Sequence, residues 1–362
     1  MGKEKVNPYK PQKSHLFRIK GSVLLNVLSS AIFITAFTAV IVVLFQMSPI
    51  KLAIPISLIT VLGLVVGLLL TYRTNTAYDR YWEGRKLWST MVTSIRNLTR
   101  CIWVHIDDDD DENVKSEKKA AIRLLASFAV AVKHELREEN GCQYDDLVPV
   151  IPNNILSQLT GYDKNGEVIK IVGRKLSLWD QFMHRTYKPH LSHDKEVTSD
   201  SNIPLEISLF ISAYIHYNAK KKKIDGPLVS NMLASVNVLV DCLSQFERVL
   251  RSPIPLAYSI HLAQTVWVYC LSLPFQLVGQ ANYATIPIVF FASMVLIGIE
   301  RIGAEIENPF GYDENDLPLD DFCKHIKDEL DGIISSSIRY EPPSPYSLKE
   351  TKNDDTSIDI EK

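Results

Sequence analysis

Charged side chains are missing from three long stretches of the chain, and their absence argues against an ordinary soluble fold. No Asp, Glu, Lys or Arg occurs in residues 21–50, 52–72 or 252–299. A helix needs about 20 apolar residues to cross the bilayer core, so the first two stretches each fit one span and the third fits two. Core helices of soluble proteins rarely run this long without a charge. The sequence therefore predicts a multi-pass membrane protein.

Catalytic motifs are missing as well. The sequence contains no Walker loop, dinucleotide fingerprint, HExxH or GxSxG, so we expect neither an enzyme nor a bound cofactor. No nucleic-acid partner is expected. Cysteine is scarce, and its five copies are widely spaced along segments that are mostly predicted to be cytosolic, where disulfides are rare. The cysteines are therefore predicted to be free thiols.

Four spans are predicted, at about residues 24–46, 52–72, 255–277 and 284–303. The third charge-free stretch is broken at residues 279–282 (Gly-Gln-Ala-Asn), which favours a hairpin of two helices. Lys and Arg are abundant before the first span and after the second, whereas the loop between the third and fourth spans has no charge. Because positive residues favour the cytosolic side, both termini are predicted to be cytosolic.

The region between the second and third spans is predicted to be mainly helical. Aromatic residues continue at helical spacing beyond the second span, and no proline occurs until Pro149. One long helix is therefore predicted to leave the bilayer and enter a cytosolic bundle formed by residues 73–250. Residues 141–202 of this bundle are polar and irregular. The channel domain, residues 21–340, follows a basic arm (1–20) and precedes a tail (341–362) whose composition predicts disorder.

Four stretches of the sequence resemble the bestrophin family, in its bacterial, fungal and plant-like branch. They are residues 21–24 (GSVL), 72–88 (YRTNTAYDRYWEGRKLW), 253–258 (PIPLAY) and 305–320 (EIENPFGYDENDLPLD). They occur in the family's order, with the predicted spans in the family's places. The resemblance implies an all-α membrane protein in which four transmembrane helices continue into a cytosolic helical bundle. It also implies a homopentameric channel with one central pore.

The resemblance places a narrow hydrophobic neck on the second span, at Leu64, Leu68 and Tyr72. Their spacing of four residues puts them on one helix face independently of the family. Five copies would form three apolar rings, which can gate by dewetting. An apolar stripe that faces lipid or another helix is the alternative. Gly63 and Gly67, one position around the helix, predict close packing between neighbouring pore helices.

Two further sites are suggested by the resemblance. His261 would lie near a second, cytosolic constriction and form a titratable ring there, while a neutral histidine bonded to a neighbouring helix fits the sequence equally well. Asn308, Asp313 and Asp316 match part of the loop that binds calcium in animal bestrophins. A structural turn is favoured over a calcium site, because Glu305 stands where those proteins have glutamine and the acidic run is thinner.

The predicted function is an ion channel that passes chloride or other small monovalent anions. A monovalent cation channel of the same fold is one alternative, because an apolar neck does not distinguish the sign of an ion. A non-conducting membrane scaffold that binds partners through its cytosolic bundle is the other. The expected partners are monovalent ions, membrane lipid and further copies of the chain, and calcium regulation is not favoured.

Overall fold

The computed structural model describes residues 21–47, 56–106, 111–139, 143–152, 155, 159 and 202–335. The predicted basic arm (1–20), most of the irregular region (141–202) and the predicted tail (341–362) lie outside the described residues. In the part that is described, every regular element is helical and no strand occurs. The predicted all-α fold is therefore confirmed for this part of the chain.

Eight α-helices lie in the described ranges. In chain order they are α1 (Leu24–Met47), α2 (Ile56–Arg100), α3 (Glu112–Leu136), α4 (Ile203–Lys220), α5 (Gly226–Arg251), α6 (Leu256–Ala281), α7 (Thr285–Ile306) and α8 (Leu319–Ser335). A π-helical turn (Cys101–His105) follows α2, and a 3-10 turn (Asn282–Ala284) joins α6 to α7.

The longest helix, α2, connects the two apolar cores of the molecule. Its 45 residues contain no proline and extend over about 68 Å at 1.5 Å per residue. The sequence predicted one helix running beyond the second charge-free stretch, and α2 confirms it. Because its first part packs in one core and its second part in the other, α2 fixes how the two cores are connected.

The two cores differ in size and in the helices that form them. The small core joins α1, the first part of α2, α6 and α7, and its buried residues include Val27, Ile34, Val66, Leu70, Leu262, Val266 and Ile297. The large core joins the rest of α2 with α3, α4, α5 and α8. Its bulkiest fully buried side chains are Trp88, Phe128, Phe246 and Phe310. The ring of Phe246 contacts both Trp88 and Phe310, so three elements meet at one aromatic cluster.

The helix boundaries have local causes. The side chain of Asn202 caps α4 by accepting a hydrogen bond from the amide of Leu205 at 3.0 Å. The predicted hairpin is confirmed, because α6 ends at Ala281 and Asn282 reverses the chain with a φ of 47°. Asparagine tolerates a positive φ better than most residues. The region between the second and third spans is mainly helical in its described part, as predicted, and contains α3, α4 and α5.

By length and hydropathy, three helical stretches within the described ranges are able to cross a membrane. They are Leu24–Met47, Gly226–Arg251 and Leu256–Ile306, the last of which comprises α6 and α7. The second stretch is α5, whose apolar side is buried in the large core. The first part of α2 is not among the three, because its apolar side chains are described only from Thr60 to Tyr72, which is shorter than a span.

The four described cysteines are free, as predicted, and all four are buried. They are Cys101, Cys242, Cys270 and Cys323. Burial raises the pKa of the Cys242 thiol to about 11 and that of the Cys323 thiol to about 12. Both groups therefore stay protonated near neutral pH and react slowly with thiol reagents.

Candidate functional site

One face of α2 is left uncovered by the rest of the described chain. Leu64, Leu68 and Tyr72 lie on this face, and 67, 64 and 63% of their surfaces are exposed. The same face continues along the helix through exposed Asn75, Asp79, Trp82 and Lys86. It is therefore apolar as far as Tyr72 and mostly polar beyond. The three predicted neck residues share this face, and their position around a pore axis stays a prediction.

The opposite side of α2 is buried, which fixes the rotation of the helix. Val66 and Leu70 pack in the small core. Gly63 lies against α6 of the same chain, since a Cβ there would come 2.9 Å from the hydroxyl oxygen of Tyr269. Gly67 has no described atom within 4 Å of a Cβ position. The close approach at Gly63 is thus made within the chain, and packing of Gly67 against a neighbouring pore helix stays a prediction.

Arg73 follows Tyr72 but is buried on the other side of α2. Its side chain is 5% exposed, and its Nη1 donates to Glu300 Oε1 at 2.8 Å, while Nη2 lies 3.8 Å from Glu307 Oε2. The side chain of Arg73 also lies against Gly303 of α7, where a Cβ would be in ordinary contact with Arg73 Cγ and Cδ at 3.6 Å. A buried charge without a partner is costly. The two carboxylates therefore hold α2 to α7 one residue beyond the predicted neck.

Arg80 fastens the ends of α5 and α7 to α2. Its Nε donates to the carbonyl of Glu307 at 2.9 Å, just beyond the end of α7. Its two terminal nitrogens donate to the carbonyls of Val249 and Ser252, at the end of α5. The last carbonyls of a helix lack partners inside the helix, and a guanidinium group can satisfy several of them at once. Arg80 therefore acts as a shared cap for α5 and α7.

The segment Ser252–Pro255, which we call the joint, links α5 to α6. It contains two prolines, which cannot continue the hydrogen bonding of α5. The amide of Ile254 in the joint donates to Glu307 Oε1 at 2.9 Å. The carboxylate of Glu307 is thus shared between the joint and Arg73.

The start of α6 lies directly behind the predicted neck. The ring of Tyr258 meets the ring of Tyr72 edge to face, with centroids 5.8 Å apart. The hydroxyl of Tyr258 also donates to the carbonyl of Leu69 at 3.1 Å. The joint is therefore one helical turn away from Tyr258, which contacts Tyr72 of the predicted neck.

His261 lies on α6, and its side chain is exposed. No hydrogen bond joins its ring to another residue that the structure describes. Tyr258 contacts Leu69 while Tyr269 lies against Gly63, so α6 runs antiparallel to α2 and His261 lies beside that stretch of α2. This position is level with the predicted neck, whereas the resemblance implies a constriction deeper in the molecule. Its role in a ring stays a prediction.

The loop that resembles a calcium site is folded as a turn that begins at Asn308. The carboxylate of Asp316 accepts from the amide of Asp313 at 2.7 Å, and the amide of Leu317 donates to the carbonyl of Pro309 at 2.9 Å. Across the described ranges, no three His, Cys, Asp or Glu side chains come together in a way that could hold a metal ion. The hydrogen bonds are those of a structural turn, and independence from calcium stays a prediction.

A second group of charges fastens α8 to α3 in the large core. Lys133 Nζ donates to Asp320 Oδ1 at 2.9 Å and also pairs with Asp146. Arg137 donates to both carboxylate oxygens of Asp320, at 3.1 and 2.9 Å. These hydrogen bonds from Arg137, assisted by Lys133, lower the pKa of Asp320 to about 2. Asp320 is therefore ionised throughout the neutral range.

Neither charge cluster was predicted from the sequence, although one signal was available. Arg73 and Arg80 are seven residues apart, which places them near one face of a helix. Both follow a charge-free stretch, where a buried arginine needs a carboxylate partner. The partners themselves lie 169 to 227 residues further along the chain, a distance over which periodicity carries no information.

Comparison with known proteins agrees with this architecture. Residues 5–332 match the family described as Bacterial/Fungal Bestrophin protein. The chain is 37% identical over 319 residues to the voltage-dependent anion channel-forming protein sll1024 of Synechocystis, covering 88% of this chain and 90% of that protein. It is 27% identical over 326 residues to the voltage-dependent anion channel-forming protein YneE of Escherichia coli K12, covering 89 and 92%. Neither relative is named as an enzyme.

The fold also matches solved structures. One is the crystal structure of a bacterial bestrophin homologue from Klebsiella pneumoniae that carries a point mutation. The two structures superpose with a TM-score of 0.67 at 20% sequence identity, and the match covers 86% of this chain and all of the other. At this identity the likeness concerns the fold alone. The family match, which spans nearly the whole chain, agrees with the four stretches identified in the sequence. The chain therefore belongs to the bacterial and fungal bestrophin family.

Proposed function

We propose that this chain forms an anion channel whose pore is lined by the uncovered face of α2. The observation that carries the proposal is the change along that face, which is apolar at Leu64, Leu68 and Tyr72 and polar from Asn75 onward. A water-filled path with an apolar constriction requires this order of surfaces. The relatives named as voltage-dependent anion channel-forming proteins support anions as the permeant ions. Chloride is the first candidate.

The proposed spans are α1, the charge-free start of α2, α6 and α7. Although α5 is apolar enough to cross a membrane, its apolar side is already buried in the large core. It also carries four charges, at Asp241, Glu247, Arg248 and Arg251. Basic residues follow the charge-free part of α2, which favours the cytosolic side for the large core and both termini.

A homopentamer completes the proposal, because one copy of α2 cannot enclose a pathway. Five is the number of copies that the family resemblance implies. Trp82 lies on the uncovered face and Tyr78 lies beside it, and both side chains are exposed. Aromatic side chains are enriched in protein interfaces. Five copies of Leu64, Leu68 and Tyr72 would form three stacked apolar rings around the axis.

The proposed neck sets the barrier to permeation. An apolar ring offers no hydrogen bond in place of the water that an ion loses, so an ion passes only when the ring is wide enough to hold water. Beyond the neck, the uncovered face carries Asp79 and Lys86, one charge of each sign. Because this balance does not distinguish the sign of the permeant ion, a monovalent cation channel of the same fold is the second candidate. A scaffold without conduction has no need of the apolar stripe.

Reversal potentials of the purified protein in planar bilayers test the proposal. Under a KCl gradient, an anion channel reverses near the equilibrium potential of chloride. Reversal near the potassium potential would favour the cation channel. A protein that is folded and reconstituted but carries no current would contradict both and favour a scaffold.

A further inference from the structure

The joint is held in place by two residues that lie away from the uncovered face of α2. Arg80 binds the carbonyls at the end of α5, and Glu307 binds the amide of Ile254. We propose that Arg80 and Glu307 are positioning residues for the neck, acting through the joint and Tyr258. This inference rests on the proposed channel function, since it assigns these residues to the same pore.

The joint depends on partners outside itself. Its two prolines end the hydrogen-bond ladder of α5, and the carbonyls of Val249 and Ser252 are left without amide partners in a following turn. Arg80 supplies donors to both of them, and its third donor binds the carbonyl of Glu307. One side chain of α2 therefore determines where α5 ends relative to α7.

Glu307 connects the joint to the pore helix by a second route. Its carbonyl accepts from Arg80, one carboxylate oxygen accepts from Ile254, and the other lies 3.8 Å from Arg73. With Glu300, the cluster contains two arginines and two glutamates, so its charges balance. A change at Glu307 therefore affects the joint and the buried side of α2 together.

The position of the joint is transmitted to the neck by one turn of helix. Tyr258 lies four residues after Ile254, within the first turn of α6. Its ring contacts Tyr72 and its hydroxyl holds the carbonyl of Leu69. Because a helical turn moves as a rigid unit, displacement of the joint carries the Tyr258 ring with it. The ring of Tyr72 then loses or changes its support.

The geometry separates this role from that of a pore-lining residue. The side chain of Glu307 is only 17% exposed, and three donors of Arg80 are occupied by backbone carbonyls, so neither presents its charge on the uncovered face. Replacing Arg80 or Glu307 should therefore alter how often the neck is open. The relative permeability to anions and cations should stay unchanged.

Two conservative variants test the proposal. In Arg80→Lys the charge remains, but a lysine cannot span three carbonyls. In Glu307→Gln an acceptor for Ile254 remains, but the ion pair with Arg73 is lost. Glu329→Gln is the matched control, because Glu329 joins α8 to α2 through a partly exposed ion pair with Arg96, away from the joint. All are assessed for oligomer mass before single-channel recording.

For both test variants we expect the open probability to change by about fivefold or more and the reversal potential to stay unchanged. A change in open probability of this size follows from the loss of one helix-capping interaction. Glu329→Gln should match the wild type. The effect of Arg80→Lys should also largely disappear in a Tyr258→Ala background, because both changes act through the same contact.

Three results would overturn the inference. They are wild-type open probability in assembled Arg80→Lys and Glu307→Gln, a changed reversal potential, or a full effect of Arg80→Lys in the Tyr258→Ala background. If one test variant fails to assemble, the other decides. If the wild type itself carries no current, the channel function fails and the inference falls with it. Normal wild-type currents with unaffected variants would overturn the inference alone.

Discussion

Replacing Leu64 and Leu68 together with alanine should open the neck without unfolding the chain. Both side chains lie on the uncovered face, four residues apart. Shortening them in every subunit therefore widens two adjacent rings of the proposed pore. A wider ring holds water more readily and lowers the barrier to ions. We expect a larger single-channel conductance or a channel that stays open, because both rings lose their bulk together.

The expected cost in stability follows from exposure. A fully buried Leu→Ala change costs about 2–5 kcal/mol. About two-thirds of Leu64 and of Leu68 is exposed within the chain, so the chain itself should lose only about 1 kcal/mol at each site. By contrast, Leu70 is 3% exposed in the small core, and Leu70→Ala should carry the full cost.

The assay combines single-channel recording with thermal unfolding in detergent. Leu25→Ala with Leu44→Ala is the matched control, since both leucines are exposed on α1, Leu25 to 66%. Control currents should match the wild type. The reasoning is refuted if the assembled Leu64/Leu68 variant conducts like the wild type, or if the α1 pair opens the channel instead. In the second case the pore would lie along another helix.

Three further outcomes are expected. Asp320→Asn should lower the free energy of unfolding by only about 1 kcal/mol at neutral pH, because Asp320 is 65% exposed and its ion pairs are screened. Folding lowers the pKa of Asp320 to about 2. The difference in stability between wild type and variant should therefore disappear as the pH is lowered from about 4 to about 2. Chelation of calcium should leave the current unchanged if residues 308–316 form only a turn, and a current restored by added calcium would contradict this. His261→Ala should change the single-channel current if five copies of His261 form a ring around the ion pathway; a wild-type current in the assembled variant would contradict such a ring.

Local patterns in the sequence predict most of the helices. Charge-free stretches and apolar spacing identify α1, α2 and the α6–α7 hairpin, because these features depend on neighbouring residues. The same reasoning places Leu64, Leu68 and Tyr72 on one face of α2. It cannot tell whether that face meets a pore, lipid or another helix, since all three surroundings accept exposed apolar side chains.

Contacts between distant parts of the chain were beyond the reach of the sequence. Arg73 binds Glu300, 227 residues away, and Lys133 binds Asp320, 187 residues away. Gly63 was assigned to contacts between subunits, whereas its near neighbour within the chain is Tyr269. Such pairs depend on how the helices pack, and a helical period specifies a face without specifying its partner.

The most direct test of the central claim is the accessibility of Leu68 from the ion pathway. A Leu68→Cys variant would be treated with a charged thiol reagent during recording, with Cys142→Ser as the background and Leu25→Cys as the control. The four described cysteines are buried, so they should not respond. If the uncovered face of α2 lines the pore, the reagent should block or alter the current through Leu68→Cys and leave Leu25→Cys unaffected. An unmodified current in Leu68→Cys, together with a blocked current in Leu25→Cys, would contradict the account.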